Sequence, residues 1–292
     1  MNVGFVQQVN QREQAINLAD SIRQIGQLAN QGAALVVLQE LHTSHYFCQT
    51  QNSANFKIAE PLVGPTFRAL SAAAKQHKLV VVGSIFEQRH AGVYHNTAIV
   101  IDSDGSLAGF YRKMHIPDDP GYYEKYYFIP GDTGFKPITT SLGKLGVCIC
   151  WDQWFPESAR LMALAGAELL IFPSAIGWDC NDCDAEKQRQ LDAWITIQRS
   201  HAIANHLPVI AVNRAGYEAD PSGHTAGIDF WGSSFICDAM GTIRVQADSR
   251  QASALLTSID LQATQQQRNT WPFFRDRRID AYQDLCKRWR DD

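Results

Sequence analysis

Apolar residues along this chain gather in short runs separated by longer stretches of helical spacing. Ten runs have strand character: residues 3–7, 33–39, 79–86, 96–101, 107–112, 144–150, 168–173, 208–213, 233–237 and 254–259. They are rich in Val and Ile. Several, such as Leu35-Val36-Val37-Leu38, are apolar at every position rather than at alternate ones, the pattern of a strand covered on both faces. Residues 12–31, 66–77, 156–165, 185–205 and 261–268 read as helices. In the first, Ala15, Leu18, Ile22, Ile25, Leu28 and Ala29 repeat at helical spacing, and Gly32 stands where a helix should stop. Asp102-Ser103-Asp104-Gly105, between two strand runs, predicts a hairpin. No repeat, low-complexity tract or linker breaks the alternation. A single α/β domain is expected, with two sheet layers and helices outside. Residues 114–138 and 177–184 form long irregular stretches, which in a compact domain tend to carry function.

Composition narrows the function classes. The 292 residues carry a formal net charge of −4, which gives no general attraction to nucleic acid or anionic membrane. Arg275, Arg277, Arg278, Lys287, Arg288 and Arg290 make the C-terminus locally basic, but acids interrupt them, the pattern of a solvated or interface face. No run approaches a membrane span, and Met1 leads into a strand-like run rather than a leader, so a cytoplasmic protein is expected. Seven cysteines, at 48, 148, 150, 180, 183, 237 and 286, are an odd and scattered set, which suggests free thiols in a reducing compartment. Cys180-x-x-Cys183 has no second Cys/His pair at zinc spacing, and His201 and His206 do not share a helix face. No metal site is expected.

Three strand ends each carry a reactive side chain. Glu40 follows Leu35–Gln39, Lys113 follows Phe110-Tyr111-Arg112, and Cys150 follows Leu145–Ile149. The cysteine sits where an apolar strand turns directly into a helical stretch, Trp151-Asp152-Gln153-Trp154-Phe155-Pro156-Glu157. Backbone N–H groups and a helix dipole at that turn would favour a thiolate. A cysteine nucleophile needs a base and an electrostatic stabiliser for the oxyanion, which a carboxylate and an ammonium can supply. Cys148, two positions earlier, reads as core.

These segments resemble the motifs of the nitrilase superfamily, the carbon–nitrogen hydrolases, over nearly the whole chain. The matching stretches are Leu38-Gln39-Glu40-Leu41, Tyr111-Arg112-Lys113-Met114-His115-Ile116 and Gly146-Val147-Cys148-Ile149-Cys150-Trp151-Asp152, in the family's order. The resemblance implies a four-layer α-β-β-α sandwich spanning residues 1–292, dimeric or larger, with residues 268–292 as an extension packed on another subunit. It implies Glu40 as base, Cys150 as nucleophile, and Lys113 with the backbone N–H of Trp151 as oxyanion donors. It implies Glu124 as a second glutamate that orients the lysine and the substrate. No cofactor is implied.

Residues 118–132, 150–157 and 271–278 are similar to the N-carbamoylputrescine amidase branch. That likeness implies a small carbamoyl-amine substrate cleaved to putrescine, ammonia and carbon dioxide, in a pocket bordered by Tyr122, Tyr123, Trp154, Ser174, Ala175, Trp178 and Asp179. Acidic and aromatic loop residues suit a distal ammonium. The segment Trp178-Asp179-Cys180-Asn181-Asp182-Cys183-Asp184 departs from that branch. A β-ureidopropionase-like or ω-amidase-like substrate with a distal carboxylate is the alternative, and would need a cation such as Arg189 or Arg214. A non-catalytic binding or assembly protein of the same fold is the alternative from another class.

Overall fold

A computed structural model describes residues 1–290. The chain begins β1 (Asn2–Gln7), α1 (Gln14–Asn30), β2 (Leu35–Leu38), α2 (Pro65–His77), β3 (Val80–His90), β4 (Val93–Ile101) and β5 (Leu107–Arg112). It continues β6 (Ile138–Thr140), β7 (Gly143–Val147), α3 (Pro156–Leu164), β8 (Leu169–Pro173), β9 (Gly177–Asp179), α4 (Asp184–Asn205) and β10 (Val209–Val212). It closes with β11 (Ala215–Glu218), β12 (Ile228–Trp231), β13 (Phe235–Cys237), β14 (Ile243–Gln246), β15 (Ser253–Ser258) and α5 (Leu261–Thr270).

Two six-stranded mixed sheets face each other, ordered β15-β1-β2-β3-β4-β5 and β14-β13-β10-β8-β7-β6. Each contains a parallel trio: β1, β2 and β3 in the first, β7, β8 and β10 in the second. Side-chain alternation explains the uniformly apolar runs. Leu35 and Val37 of β2 join Val147, Leu169 and Ile171 between the sheets. Val36 and Leu38 turn outward to Ile25, Leu28 and Leu70 of α1 and α2. Each such side chain contributes about 1.5–3 kcal/mol when fully buried. Helices α3 and α4 cover the other sheet, which gives the four layers α-β-β-α. Among the described residues no helix is long and apolar enough to cross a membrane.

All ten expected strands form, and the 102–105 hairpin closes with the Ser106 carbonyl accepting from the Asp102 N–H at 2.9 Å. Gly32 adopts φ +89° just past α1, the left-handed stop its position suggested. Five short strands went unread: β6, β9, β11, β12 and β14. Three of them, in the order β11-β12-β9, form a small antiparallel sheet near the second irregular stretch. They are three or four residues long and mix Gly, aromatic and acidic residues, too little for a period-two signal. The expected strand 144–150 stops at Val147, and Cys150 opens a 3-10 turn instead. Residues 291–292 of the expected extension lie outside the described residues.

One glycine ties the irregular stretch to the sheet. The Gly131 N–H donates to the Lys113 carbonyl at 2.8 Å, and a Cβ at Gly131 would sit 2.0 Å from the backbone oxygen of Arg112. Backbone there cannot yield cheaply. Gly131→Ala is expected to destabilise the fold by about 1–3 kcal/mol, read as a lower midpoint in urea unfolding, and to lower activity with it.

Candidate active site

Topology brings the strand ends together. β5 runs antiparallel to β4, and β4 antiparallel to β3, so β5 points the same way as β3 and β2. Lys113, just past β5, therefore meets Glu40, two residues past β2, at the carboxyl edge of the first sheet. The Lys113 Nζ donates to Glu40 Oε1 at 2.9 Å and to both carboxylate oxygens of Glu124, at 2.9 and 2.7 Å. All three residues are fully buried or within a percent of it. Asn96 Nδ2 donates to Glu40 Oε1 at 2.6 Å, and the Tyr46 hydroxyl donates to Glu124 Oε1 at 2.7 Å. Glu40 Oε2 has no partner among the described residues.

Burial alone would neutralise such groups, and the pair charges decide otherwise for the lysine. Burial pulls the Lys113 ammonium down, but Glu124 and Glu40 outweigh it and hold it well above its ordinary range, so it stays cationic. Burial raises the Glu124 carboxyl; Lys113 opposes and Glu40 adds to the rise.

Cys150 feels the same charges. Burial pushes its thiol well above the ordinary value, Glu40 and Glu124 push further, and Lys113 only partly offsets them. The expected thiolate is therefore corrected: at rest the side chain is a neutral thiol. The dipole of a five-residue 3-10 turn does not outweigh burial beside two carboxylates. The thiol lies 4.0 Å from the Ala175 carbonyl.

The turn that presents Cys150 is strained and clamped. Cys150 has φ +43°, a region that non-glycine residues rarely enter. Buried Asp152 holds it: Oδ2 accepts from the Ile149 N–H at 2.9 Å and the Tyr111 hydroxyl at 2.8 Å. Its Oδ1 accepts from the His115 N–H at 3.0 Å and lies 2.7 Å from His115 Nδ1. Gln153 anchors the far side, its Oε1 accepting from Ser174, Trp194 and Gln198. The N–H of Trp151 opens the turn, where a helix offers no internal acceptor.

Arg214 holds Glu40 from behind. It is fully buried and donates to the carbonyls of Glu40 (3.1 Å), Leu41 (3.0 Å) and Ser44 (3.0 Å), and to Glu218 Oε1 at 2.6 Å. Glu218 Oε2 accepts from the Tyr46 N–H at 2.6 Å. A chain of contacts thus runs from Arg214 through Glu218 and Tyr46 to Glu124, Lys113 and back to Glu40. Arg214 is a backbone clamp rather than a substrate ligand. Arg189 is largely exposed and paired with Glu186 on the surface of α4.

The remaining expected residues divide. Tyr122 stays near the cluster, its ring 5.5 Å from that of Tyr46 and its hydroxyl accepting from the Gly177 N–H at 3.0 Å. Ala175 lies beside the thiol. Ser174 is buried and backs Gln153. Half-buried Trp154 has an indole N–H with no partner among the described residues. Trp178 is nearly buried, its indole N–H donating to the Lys187 carbonyl at 2.8 Å. Asp179 is exposed and accepts from Asn181 within its own turn, outside the cluster. Half-buried Tyr123 borders a separate cleft. Sequence reasoning missed Asn96, Tyr46, Asp152 and Glu218. Asn96 alone gave a signal, a polar residue opening the strand run 96–101. Among the described residues no group of three or more His, Cys, Asp or Glu side chains could hold a metal ion. A cleft of about 710 Å³ lies beside Met1, Ile259 and Leu261, but no nucleophile and base meet there.

Arg214→Lys should separate positioning from folding. A lysine cannot reproduce four directed guanidinium bonds. The expected result is a kcat lower by roughly 10- to 100-fold, about 1.4–2.7 kcal/mol, with KM little moved and a circular dichroism spectrum like the wild type.

The carbon-nitrogen hydrolase family pattern matches residues 3–269. N-carbamoylputrescine amidase of Arabidopsis thaliana is 43% identical, over 92% of this chain and 89% of that one. Citrullinase of Francisella tularensis is 41% identical over 99% of both chains. The crystal structure of a carbon-nitrogen hydrolase from Helicobacter pylori G27 superposes with a TM-score of 0.97 at 49% identity, covering 99% of both chains. This chain belongs to the carbon–nitrogen hydrolase family, the nitrilase superfamily, and is a hydrolase of carbon–nitrogen bonds.

Proposed function

We propose that this hydrolase cleaves N-carbamoylputrescine to putrescine, ammonia and carbon dioxide. The observation that carries the reading is the commitment of both candidate cations: Arg214 is fully buried, ion-paired with Glu218 and bonded to three carbonyls, and Arg189 lies on the surface with Glu186. A substrate with a distal carboxylate alone, as in the β-ureidopropionase-like reading, would find neither. The amidase relatives support the same substrate.

In this reading Glu40 Oε2, the unpartnered oxygen, takes the Cys150 proton as sulfur attacks the carbamoyl carbon. Lys113 and the Trp151 N–H receive the oxyanion. Glu40 returns the proton to the leaving nitrogen, and the C–N bond breaks. Glu40 then takes a proton from water, which attacks the S-carbamoyl intermediate; Glu40 returns that proton to sulfur as the C–S bond breaks, and the released carbamic acid loses carbon dioxide to free the second amine. Glu124 holds the lysine throughout. The proton only changes place inside the site, so its buried net charge is constant. Loss of the thiol proton to solvent would add a negative charge beside two carboxylates.

Citrulline is the second reading, favoured by the citrullinase relative matched over the full length of both chains. Citrulline carries the same terminal carbamoyl group and a distal amine, and adds an α-carboxylate. Ammonia release from N-carbamoylputrescine, citrulline and N-carbamoyl-β-alanine at equal concentration decides. The expected kcat/KM order places N-carbamoylputrescine first by at least tenfold; citrulline first would overturn the assignment. Cys150→Ala is expected to abolish turnover of all three while melting like the wild type.

The seven free cysteines support a cytoplasmic setting. A homodimer or larger assembly, with the C-terminal extension on a second subunit, belongs to the same proposal. Phe274 is held between the guanidinium groups of Arg160 and Arg268, at 4.8 and 5.3 Å. Trp271, Ile279, Tyr282 and Leu285 remain exposed beyond it, an apolar surface suited to a partner. Removing residues 271–292 should shrink the assembly seen by solution scattering; an unchanged mass would refute the packing.

A further inference from the structure

The chain between β8 and β9 passes beside the nucleophile. Ser174, Ala175 and Ile176 join the two strands, and all three are buried. The Ser174 N–H donates to the Val212 carbonyl at 2.7 Å, which continues the β8–β10 ladder past Pro173. β10 ends at Val212, yet one more rung is made by a side chain. Asn213 Oδ1 accepts from the Ile176 N–H at 3.0 Å, and its Nδ2 donates to the Ile176 carbonyl at 2.8 Å. Both bonds go to one residue, so the carboxamide stands in for a further backbone peptide at the β10 edge. Asn213 is fully buried, and its own N–H donates to Ser234 Oγ at 2.8 Å. Gly177 is held from the other side. Its N–H donates to the Tyr122 hydroxyl at 3.0 Å, and its carbonyl accepts from that hydroxyl at 3.2 Å.

Ala175 lies beside these two clamps and is left out of both. Backbone groups alternate in direction along an extended stretch, so with Ser174 and Ile176 turned to β10, Ala175 is turned away from it. There its carbonyl lies 4.0 Å from the Cys150 sulfur. Among the described residues its N–H and carbonyl make no other hydrogen bond. Nearly all buried peptide groups are paired, and this one stays open next to the nucleophile. Burial and Glu40 push the thiol up most, while Lys113 and a bond from the Ala175 backbone pull it down.

We propose that Asn213 and Tyr122 are positioning residues for Cys150: together they hold the Ala175 peptide, unpaired, against the sulfur. The Ala175 N–H then supports the sulfur as its proton passes to Glu40. A dipole fixed in advance needs no reorganisation at that moment. Without the clamps the peptide is free to turn to another partner. The loss falls on the chemical steps rather than on substrate binding, and so on kcat rather than KM. The inference rests on Cys150 as the nucleophile, and it holds for any carbamoyl or amide substrate.

Asn213→Leu keeps most of the side-chain volume and removes both bonds to Ile176. On the carbamoyl compound that the wild type cleaves fastest, kcat should fall about tenfold with KM within threefold, in protein whose circular dichroism matches the wild type. Asn213→Ser removes the same bonds and replaces the leucine variant if that one does not fold. Tyr122→Phe deletes a single hydroxyl and should lower kcat at least threefold, again with KM within threefold. A loss of kcat below fivefold at Asn213, an unchanged kcat in Tyr122→Phe, or a KM that rises as far as kcat falls overturns the assignment. Turnover that survives in Cys150→Ala would instead sink the nucleophile on which it rests.

Discussion

The structure is organised around one buried ammonium. Lys113 lies out of water between Glu40 and Glu124, and three hydrogen bonds of 2.7–2.9 Å tie it to them. Each of these ions alone would cost several kcal/mol to bury, and only their mutual compensation makes the arrangement tolerable. Removing one partner would leave a bare charge in an apolar setting. That constraint explains the surroundings. Tyr46 and Asn96 are placed to satisfy carboxylate lone pairs, and Arg214 is placed to fix the backbone that carries Glu40. The same charges raise the Cys150 thiol. The Cys150 thiol is thus kept protonated, and under the proposed mechanism it yields its proton only to a base inside the site.

Strain is concentrated at the same edge. Leu41, one residue beyond Glu40, has φ +48°, and Cys150 has φ +43°. Such backbone costs on the order of 1–3 kcal/mol per residue and persists only when its neighbours determine it. They do so here. Ser84 Oγ accepts from the Leu41 N–H at 3.0 Å, Arg214 donates to the Leu41 carbonyl, and Asp152 ties the start of the cysteine turn at Ile149 to His115. The rigid parallel strands β2 and β7 lead into these turns. The reactive groups are therefore aimed by sheet geometry rather than by mobile loops, the condition for electrostatic preorganisation.

Much of this was legible in the sequence, for a physical reason. Strands buried on both faces leave uniform apolar runs such as Leu35–Leu38. A charged residue ending such a run stands out, so Glu40 and Lys113 were visible. Glu124 was visible only through family resemblance, because nothing local marks a glutamate in a Tyr-rich loop. The supporting shell was mostly invisible. Tyr46 meets Glu124 across 78 positions and Arg214 meets Glu40 across 174, and no periodicity encodes such pairings. Arg214 was even read the wrong way, as a possible substrate cation, because a lone arginine in sequence does not reveal that Glu218 neutralises it. The thiolate expectation failed for a related reason. The turn geometry was inferred correctly in kind, but burial and two nearby carboxylates act through space.

Burial accounting also bears on selectivity. Lys113 is paired with Glu40 and Glu124, and Arg214 with Glu218. A substrate carboxylate reaching the cluster would set a lasting negative charge beside Glu40 and Glu124, whereas an oxyanion formed there is transient. A substrate ammonium displaces nothing. It adds positive charge to a region where Glu40, Glu124 and Glu218 already exceed Lys113 and Arg214 in number. Under the proposed function the buried cluster handles only the scissile carbon and its oxygen, not the far end of the substrate. On that reading, discrimination by distal charge falls to the loops beyond the sheet ends, where a surplus of carboxylate suits an amine better than an acid.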